Sequence, residues 1–338
     1  MPAHSYPSAP PPPASAVPHR PGRTLHLAAA IGGGRAGHEG AHHRELARLA
    51  ESGGLDFVTL EFGAADGCGP LEAVAQLAAV APATARIGVV PAVPSGGAEP
   101  ADVAAAVATL DWVSRGRAGW TLAVPPAPPA TRGRGRQPER PAAVWRAAAD
   151  TADAVTRMWR GGRGPWSARA APVTALDATE SGARAVAARH ADIAFVRAAR
   201  PEGAGRIRAD LHRLAAEAGR DPDRLLVLAD LSVDLCGGEA AREPGAETAL
   251  LPDASGGVLF RGGPVDLAAL IADWRRQGAV DGFHVRPVEA GRDLERFVNG
   301  TAALLQHRGL FRSFHPGATL REHLGLHRPP RPAARVLT

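Results

Sequence analysis

The chain has 338 residues, of which 45% are hydrophobic and only 4% aromatic, and its formal net charge is +5. That is enough apolar material for a full core, while the absence of any run of about 18 apolar residues argues against a membrane span. All 39 residues counted as Lys or Arg are Arg. They are scattered, with too few aromatics between them for a stacking platform, so no nucleic-acid partner is expected.

Met1 to Arg23 is rich in Pro, Ala and Ser and has no apolar signal-peptide core, so it reads as a disordered tail. Thr24 to Ile31 is a first strand, followed by Gly32-Gly33-Gly34. Leu46, Leu49 and Ala50 mark a helix stopped by Gly53-Gly54, and Leu55 to Leu60 is the second strand. A second helix carries Leu71, Val74, Leu77 and Ala78 after Pro70, and Ile87 to Val93 is the third strand. The third helix spans Asp102 to Val113. Arg115-Gly116-Arg117 then makes a basic turn, with glycine available for a left-handed position, before the fourth strand, Ala118 to Ala123.

Pro125 to Pro141 is a Pro/Arg/Gly loop too long for a simple connector. Ala142 to Trp159 is the fourth helix, Val173 to Leu176 the fifth strand, Gly182 to Arg189 the fifth helix and Ile193 to Val196 the sixth strand. The next helix spans Ile207 to Ala218, the seventh strand Leu225 to Val233, and Cys236 to Ser255 is an irregular insert. Pro264 to Arg276 is a helix, Gly282 to Val285 the eighth strand, and Leu294 to Leu305 the last helix. Eight strands alternating with helices predict a single-domain α/β fold, a (β/α)8 TIM barrel over residues 24–330 with a C-terminal tail at 331–338. Ligands are then expected on the loops after the strands. The two cysteines, Cys68 and Cys236, form no CxxC or metal-like cluster, which fits a reducing cytosol.

Several stretches match a known pattern. Ala108 to Trp120 reads ATLDWVSRGRAGW. Near the C-terminus stand Gly309-Leu310-Phe311-Arg312 and Thr319 to Leu326, TLREHLGL. Thr84 to Gly88 (TARIG) and Ala187 to Asp192 (AARHAD) fit between them. Together these resemble the bacterial luciferase-like flavin monooxygenases, in particular the branch with nitrilotriacetate and sulfone monooxygenases. The resemblance implies reduced FMN as cofactor, with a deazaflavin as the alternative. It implies insertion of one oxygen atom of O2 into a small organic substrate, a separate flavin reductase as partner, and a homodimer. A non-catalytic barrel of the same fold is the competing class.

The candidate site residues follow from both lines. Asp177 to Gly182 ends the fifth strand and opens a helix. Thr179, Ser181 and Gly182 there offer hydroxyls, backbone N–H groups and the positive end of a helix dipole, which is either a phosphate cradle or an ordinary N-cap. In the family the matching segment holds the FMN phosphate. Thr121 falls where relatives have Asn beside the flavin, Ser95 near a Ser/Thr run, and Glu61 near an acidic residue at the ring edge. His38 is either a substrate contact or a solvated loop histidine. With His42 and Glu39 it has two-ligand metal spacing but no indicated third ligand, so no metal is expected. His284, on the eighth strand, points into the barrel or away from it. The chain departs from relatives at Phe62, Gly96-Gly97, Pro125-Pro126 and the short Arg160 to Pro172 segment, so a more open mouth is expected.

Overall fold

The structure, a computed structural model, describes residues 24–32, 40–62, 67–124, 141–160, 171–238, 250–253 and 257–326. Its strands are β1 (His26–Ala30), β2 (Phe57–Leu60), β3 (Gly88–Pro94), β4 (Gly119–Ala123), β5 (Val173–Asp177), β6 (Ile193–Val196), β7 (Leu226–Asp234), β8 (Leu251–Pro252), β9 (Val258–Arg261) and β10 (Gly282–Pro287). Strands β1 to β7 pair in parallel in sequence order. β10 pairs in parallel with both β7 and β1, which closes an eight-stranded barrel. Helices α1 (Gly40–Ser52), α2 (Glu72–Val80), α3 (Pro100–Val113), α4 (Ala142–Arg160), α5 (Ser181–His190), α6 (Pro201–Glu217) and α7 (Pro264–Arg276) connect the strands. The expected TIM barrel is present. Its strands are near-continuous apolar runs because each is covered on both faces.

Alternation along each strand sorts the side chains. One set, with Leu27, Val58, Val89, Trp120 and Val227, packs outward against the helices. The other, with Ala28, Phe57, Val90, Ala175, Phe195 and Leu228, fills the barrel.

The N-terminal end of the barrel is plugged from below. α10 (Leu320–His323) sends Leu320, fully buried, up among Val90, Val173 and Phe57. A Cβ at Gly88 would lie 2.6 Å from Leu320 Cδ1, so this register requires glycine. Thr319 and Glu322 form a capping box that starts the short helix. Arg321 bonds to Asp192 at 2.9 Å, and Asp192 in turn accepts from the Thr174 backbone N–H at 3.1 Å. Arg117 is buried and donates to Ser114 O, Ile87 O, Ala81 O, Thr84 O and Thr84 Oγ1 at 2.6–3.2 Å. The Leu320 N–H bonds to Gly116 O at 3.2 Å. Four of the stretches that carry the family resemblance therefore meet at the floor, while Arg312 of the fifth bonds to Asp56 and Gly54 beside β2.

Three elements differ from the reading of the sequence. The insert after Cys236 ends in β8, and β9 follows it; β9 pairs in parallel with β7 outside the barrel ring. Its four residues between glycines were too short a run to stand out. α6 starts at Pro201 rather than Ile207, because Pro201 and Glu202 form its first turn. The last helix is broken into α8 (Ala290–Arg296), a π-helical turn (Phe297–Ala302) and α9 (Ala303–His307). The π turn lets Thr301 Oγ1 donate to Pro264 O at 3.0 Å, with Gly300 packed against the Pro264 ring.

Candidate active site at the barrel mouth

At the C-terminal ends of the strands the inward positions divide into two halves. β1, β3, β4 and β5 contribute small side chains there: Ala30, Ala92, Thr121, Ala123 and Ala175. β6, β7 and β10 contribute Arg197, Asp230, His284 and Arg286, and β2 adds Thr59 with Glu61 just beyond. The small half leaves room, and the polar half is tightly bonded.

Asp230 is the centre of that half. It is 4% exposed. Its carboxylate accepts from Arg286 Nε at 2.9 and 3.1 Å, from Arg197 Nε at 3.1 Å and from His284 Nδ1 at 2.7 Å. Arg197 also bridges to Asp177, and Arg286 reaches Glu61 at 3.3 Å. His284 Nε2 lies 2.8 Å from Thr59 Oγ1. Burial pushes the Asp230 carboxyl up, but Arg286, the His284 hydrogen bond and Arg197 outweigh it and hold the group well below the usual carboxylate range. Burial pushes His284 down, and the Asp230 carboxylate opposes this without cancelling it, so the ring is neutral at pH 7. Asp177 first, then Asp230, hold the Arg197 guanidinium firmly charged against its burial. A buried carboxylate without these cations would be strongly destabilising.

Of the residues expected from the sequence, Glu61, Thr121 and Thr179 reach this end of the barrel. Glu61 is exposed and paired with Arg286. Thr121 faces inward, level with Ala92 and Ala175. Thr179 Oγ1 accepts from the Arg197 N–H at 3.2 Å, which leaves its own proton free to donate. The Thr179 N–H donates to Asp177 Oδ1 at 2.7 Å, so Asp177 shapes the turn into α5. Ser95, half-buried after β3, hydrogen-bonds through its backbone to Ala123 O at 2.9 Å.

The N-cap residue of α5, Glu180, makes no side-chain cap bond, and Ser181 stands exposed on the first turn. Gly182 turns the other way: a Cβ there would lie 2.4 Å from Trp145 Cδ1, so glycine is demanded by packing of α5 on α4. His38, Pro125-Pro126 and most of Arg160 to Pro172 lie outside the described residues. No group of three or more metal-ligating side chains comes together among the described residues. No helix among them is long and apolar enough to cross a membrane.

Sequence reading passed over Arg197, Asp230 and Arg286 and left His284 open. The available signal was a carboxylate inside the apolar run Leu225 to Val233, which a buried parallel strand tolerates only when it is paired.

A parallel barrel with its polar cluster at the C-terminal strand ends is the architecture of a barrel enzyme with its ligand site on that face. The family model for luciferase-like monooxygenases matches residues 24–243, and the chain belongs to this enzyme family. It is 41% identical over 71 residues to N-acetyl-S-(2-succino)cysteine monooxygenase of Bacillus subtilis (strain 168), covering 21% of this chain and 16% of that protein. It is also 41% identical over 76 residues to nitrilotriacetate monooxygenase component A of Aminobacter aminovorans, covering 22% of this chain and 17% of that protein. The matches thus span less than a fifth of those relatives' length.

Among solved structures, EDTA monooxygenase from Chelativorans sp. BNC1 superposes with a TM-score of 0.74 at 18% identity, covering 90% of this chain and 99% of that chain. Riboflavin lyase with modified FMN and riboflavin gives 0.70 at 18% identity, covering 90% and 96%. An F420-dependent secondary alcohol dehydrogenase gives 0.60 at 14% identity, covering 82% and 98%. At these identities the likeness is one of fold.

Proposed function

We propose that the chain is a flavin-dependent monooxygenase of the two-component kind, taking reduced FMN from a separate reductase and acting on a small organic substrate. When bound, the flavin supplies the oxygen-activating chemistry, and one atom of O2 enters the substrate. The observation that carries this reading is the start of α5. Its first turn follows β5 directly at the mouth, with the Thr179 hydroxyl beside it. A helix N-terminus with hydroxyls beside it suits a phosphate. Thr179 and Ser181 would hold that phosphate. The flavin ring would lie against the small wall of Ala30, Ala92, Thr121 and Ala123, beside the Glu61–Arg286 pair. The chain's own work is to bind and orient the flavin and substrate and to keep water from the reacting atoms.

The test compares FMN with riboflavin, which lacks the phosphate. A charge-assisted hydrogen bond contributes about 1.5–3 kcal/mol, so FMN should bind roughly tenfold or more tightly than riboflavin. Thr179→Val should erase most of that difference. Equal affinities for FMN and riboflavin would place the phosphate elsewhere, and binding of F420 in preference to FMN would move the protein to hydride transfer.

A further inference from the structure

The Thr59 hydroxyl, His284 and Asp230 form a hydrogen-bonded line across the barrel interior, 2.8 Å from Thr59 Oγ1 to Nε2 and 2.7 Å from Nδ1 to Asp230 Oδ1. An ionised carboxylate only accepts, so Nδ1 carries the ring proton and donates it to Asp230. Nε2 then presents a lone pair, and the Thr59 O–H donates to it. This leaves the Thr59 oxygen with lone pairs that can accept. The ring is held rigidly, stacked on Phe57 at 6.4 Å and tilted against Phe195 at 4.8 Å. Thr59 lies deeper than Glu61 on β2, opposite Ala30 on β1 and Val90 on β3, with the small Ala92 one step nearer the mouth, and it is 7% exposed. The small fraction of Thr59 left open is where a ligand in the mouth would touch it.

Resting on the reading that the mouth is the ligand site, we propose that Thr59, His284 and Asp230 are a proton-accepting relay, and that the substrate carries an N–H, O–H or activated C–H whose proton leaves to Thr59. The X–H bond breaks and its electron pair stays on the substrate. The Thr59 oxygen takes that proton and passes its own to Nε2, and the imidazolium so formed faces the ionised Asp230. Arg197 and Arg286 hold that carboxylate in place from β6 and β10. Their charges oppose the imidazolium, while those of Asp230, Asp177 and Glu61 favour it. A triad of hydroxyl, imidazole and carboxylate does the same work wherever a proton must leave a hydroxyl-bound group.

The test uses the full chain without flavin and the probe 5-nitrobenzisoxazole. Removal of its ring C–H proton breaks the N–O bond and sends the electron pair to oxygen, giving a coloured nitrophenolate. The relay predicts a rate that rises with pH to a plateau, with an apparent pKa below 6.5, the ordinary histidine value. Thr59→Val and His284→Gln should each slow it by at least about tenfold, while Thr59→Ser keeps most of the rate. A Val variant as fast as the wild type, or an unchanged pH profile in His284→Gln, would overturn the relay. Nitrogen-15 NMR of the unaltered chain is the second measurement: His284 should show a protonated Nδ1 and a bare Nε2, and a protonated Nε2 refutes the proposal even if a variant fails to fold. None of these readouts involves FMN, so failure of the flavin reading and failure of the relay are separate results.

Discussion

Truncating Leu320 to alanine probes the floor plug, the feature on which four of the signature stretches converge. Leu320 is fully buried among barrel-lining side chains, and the strands around it cannot collapse inward without breaking a closed hydrogen-bonded ring. The cost should sit in the middle of the Leu→Ala range, about 3–4 kcal/mol. For a chain of this size that is a fall in Tm of roughly 6 °C. Gly88→Ala alone should destabilise by about 1–3 kcal/mol through overpacking, because its Cβ would meet Leu320 Cδ1 at 2.6 Å and Phe57 Cβ at 2.8 Å. In the double variant the first clash disappears and the second remains. The pair should then cost less than the sum of the singles by at least about 0.5 kcal/mol. Urea denaturation followed by tryptophan fluorescence measures all three. A loss below about 0.5 kcal/mol for Leu320→Ala, or strict additivity, would refute the plug as the organising contact of the floor.

Other consequences are as specific. His323 is buried beside His315, and burial pushes its pKa down to about 4, while the unfolded chain takes up that proton near 6.5. Between those values the unfolded state holds more protons, so stability should fall as pH drops from about 6.5 to about 4, by at most about 3 kcal/mol. His323→Gln should flatten that limb in a pH series of urea midpoints. Gly182→Ala should destabilise without any ligand present, because its Cβ would enter the Trp145 ring; a wild-type melting curve would show that α5 and α4 pack otherwise. Arg117→Lys should cost about 2 kcal/mol or more, since one ammonium cannot satisfy the carbonyls of Ser114, Ala81, Thr84 and Ile87 together.

The barrel itself was legible in the sequence because eight alternations of short apolar runs and helical patterning leave few other architectures. The floor was legible as motifs because its contacts depend on fixed local devices: the Arg115-Gly116 turn with positive φ at both residues, the Thr319–Glu322 capping box, and glycines at close approaches. The mouth was legible only in part. Glu61 announces itself by its position after a strand, and Thr121 by the family resemblance. Arg197, Asp230 and Arg286 come from three strands, and nothing local says that they meet. Their meeting depends on the register that sets His284 opposite Asp230, and on alternation that turns all of them inward. Gly182 illustrates the opposite limit: a glycine placed where a phosphate motif wants one, yet held there by Trp145.

The most direct test of the account is hydrogen exchange on the full chain with and without saturating FMN. Binding at the mouth predicts slower exchange in the segments holding Glu61, Thr121 and Asp177 to Ala183, with Gly317 to Leu326 at the floor unchanged. Protection confined to the floor, or no change anywhere at saturation, would contradict the assignment of the C-terminal strand ends as the flavin site.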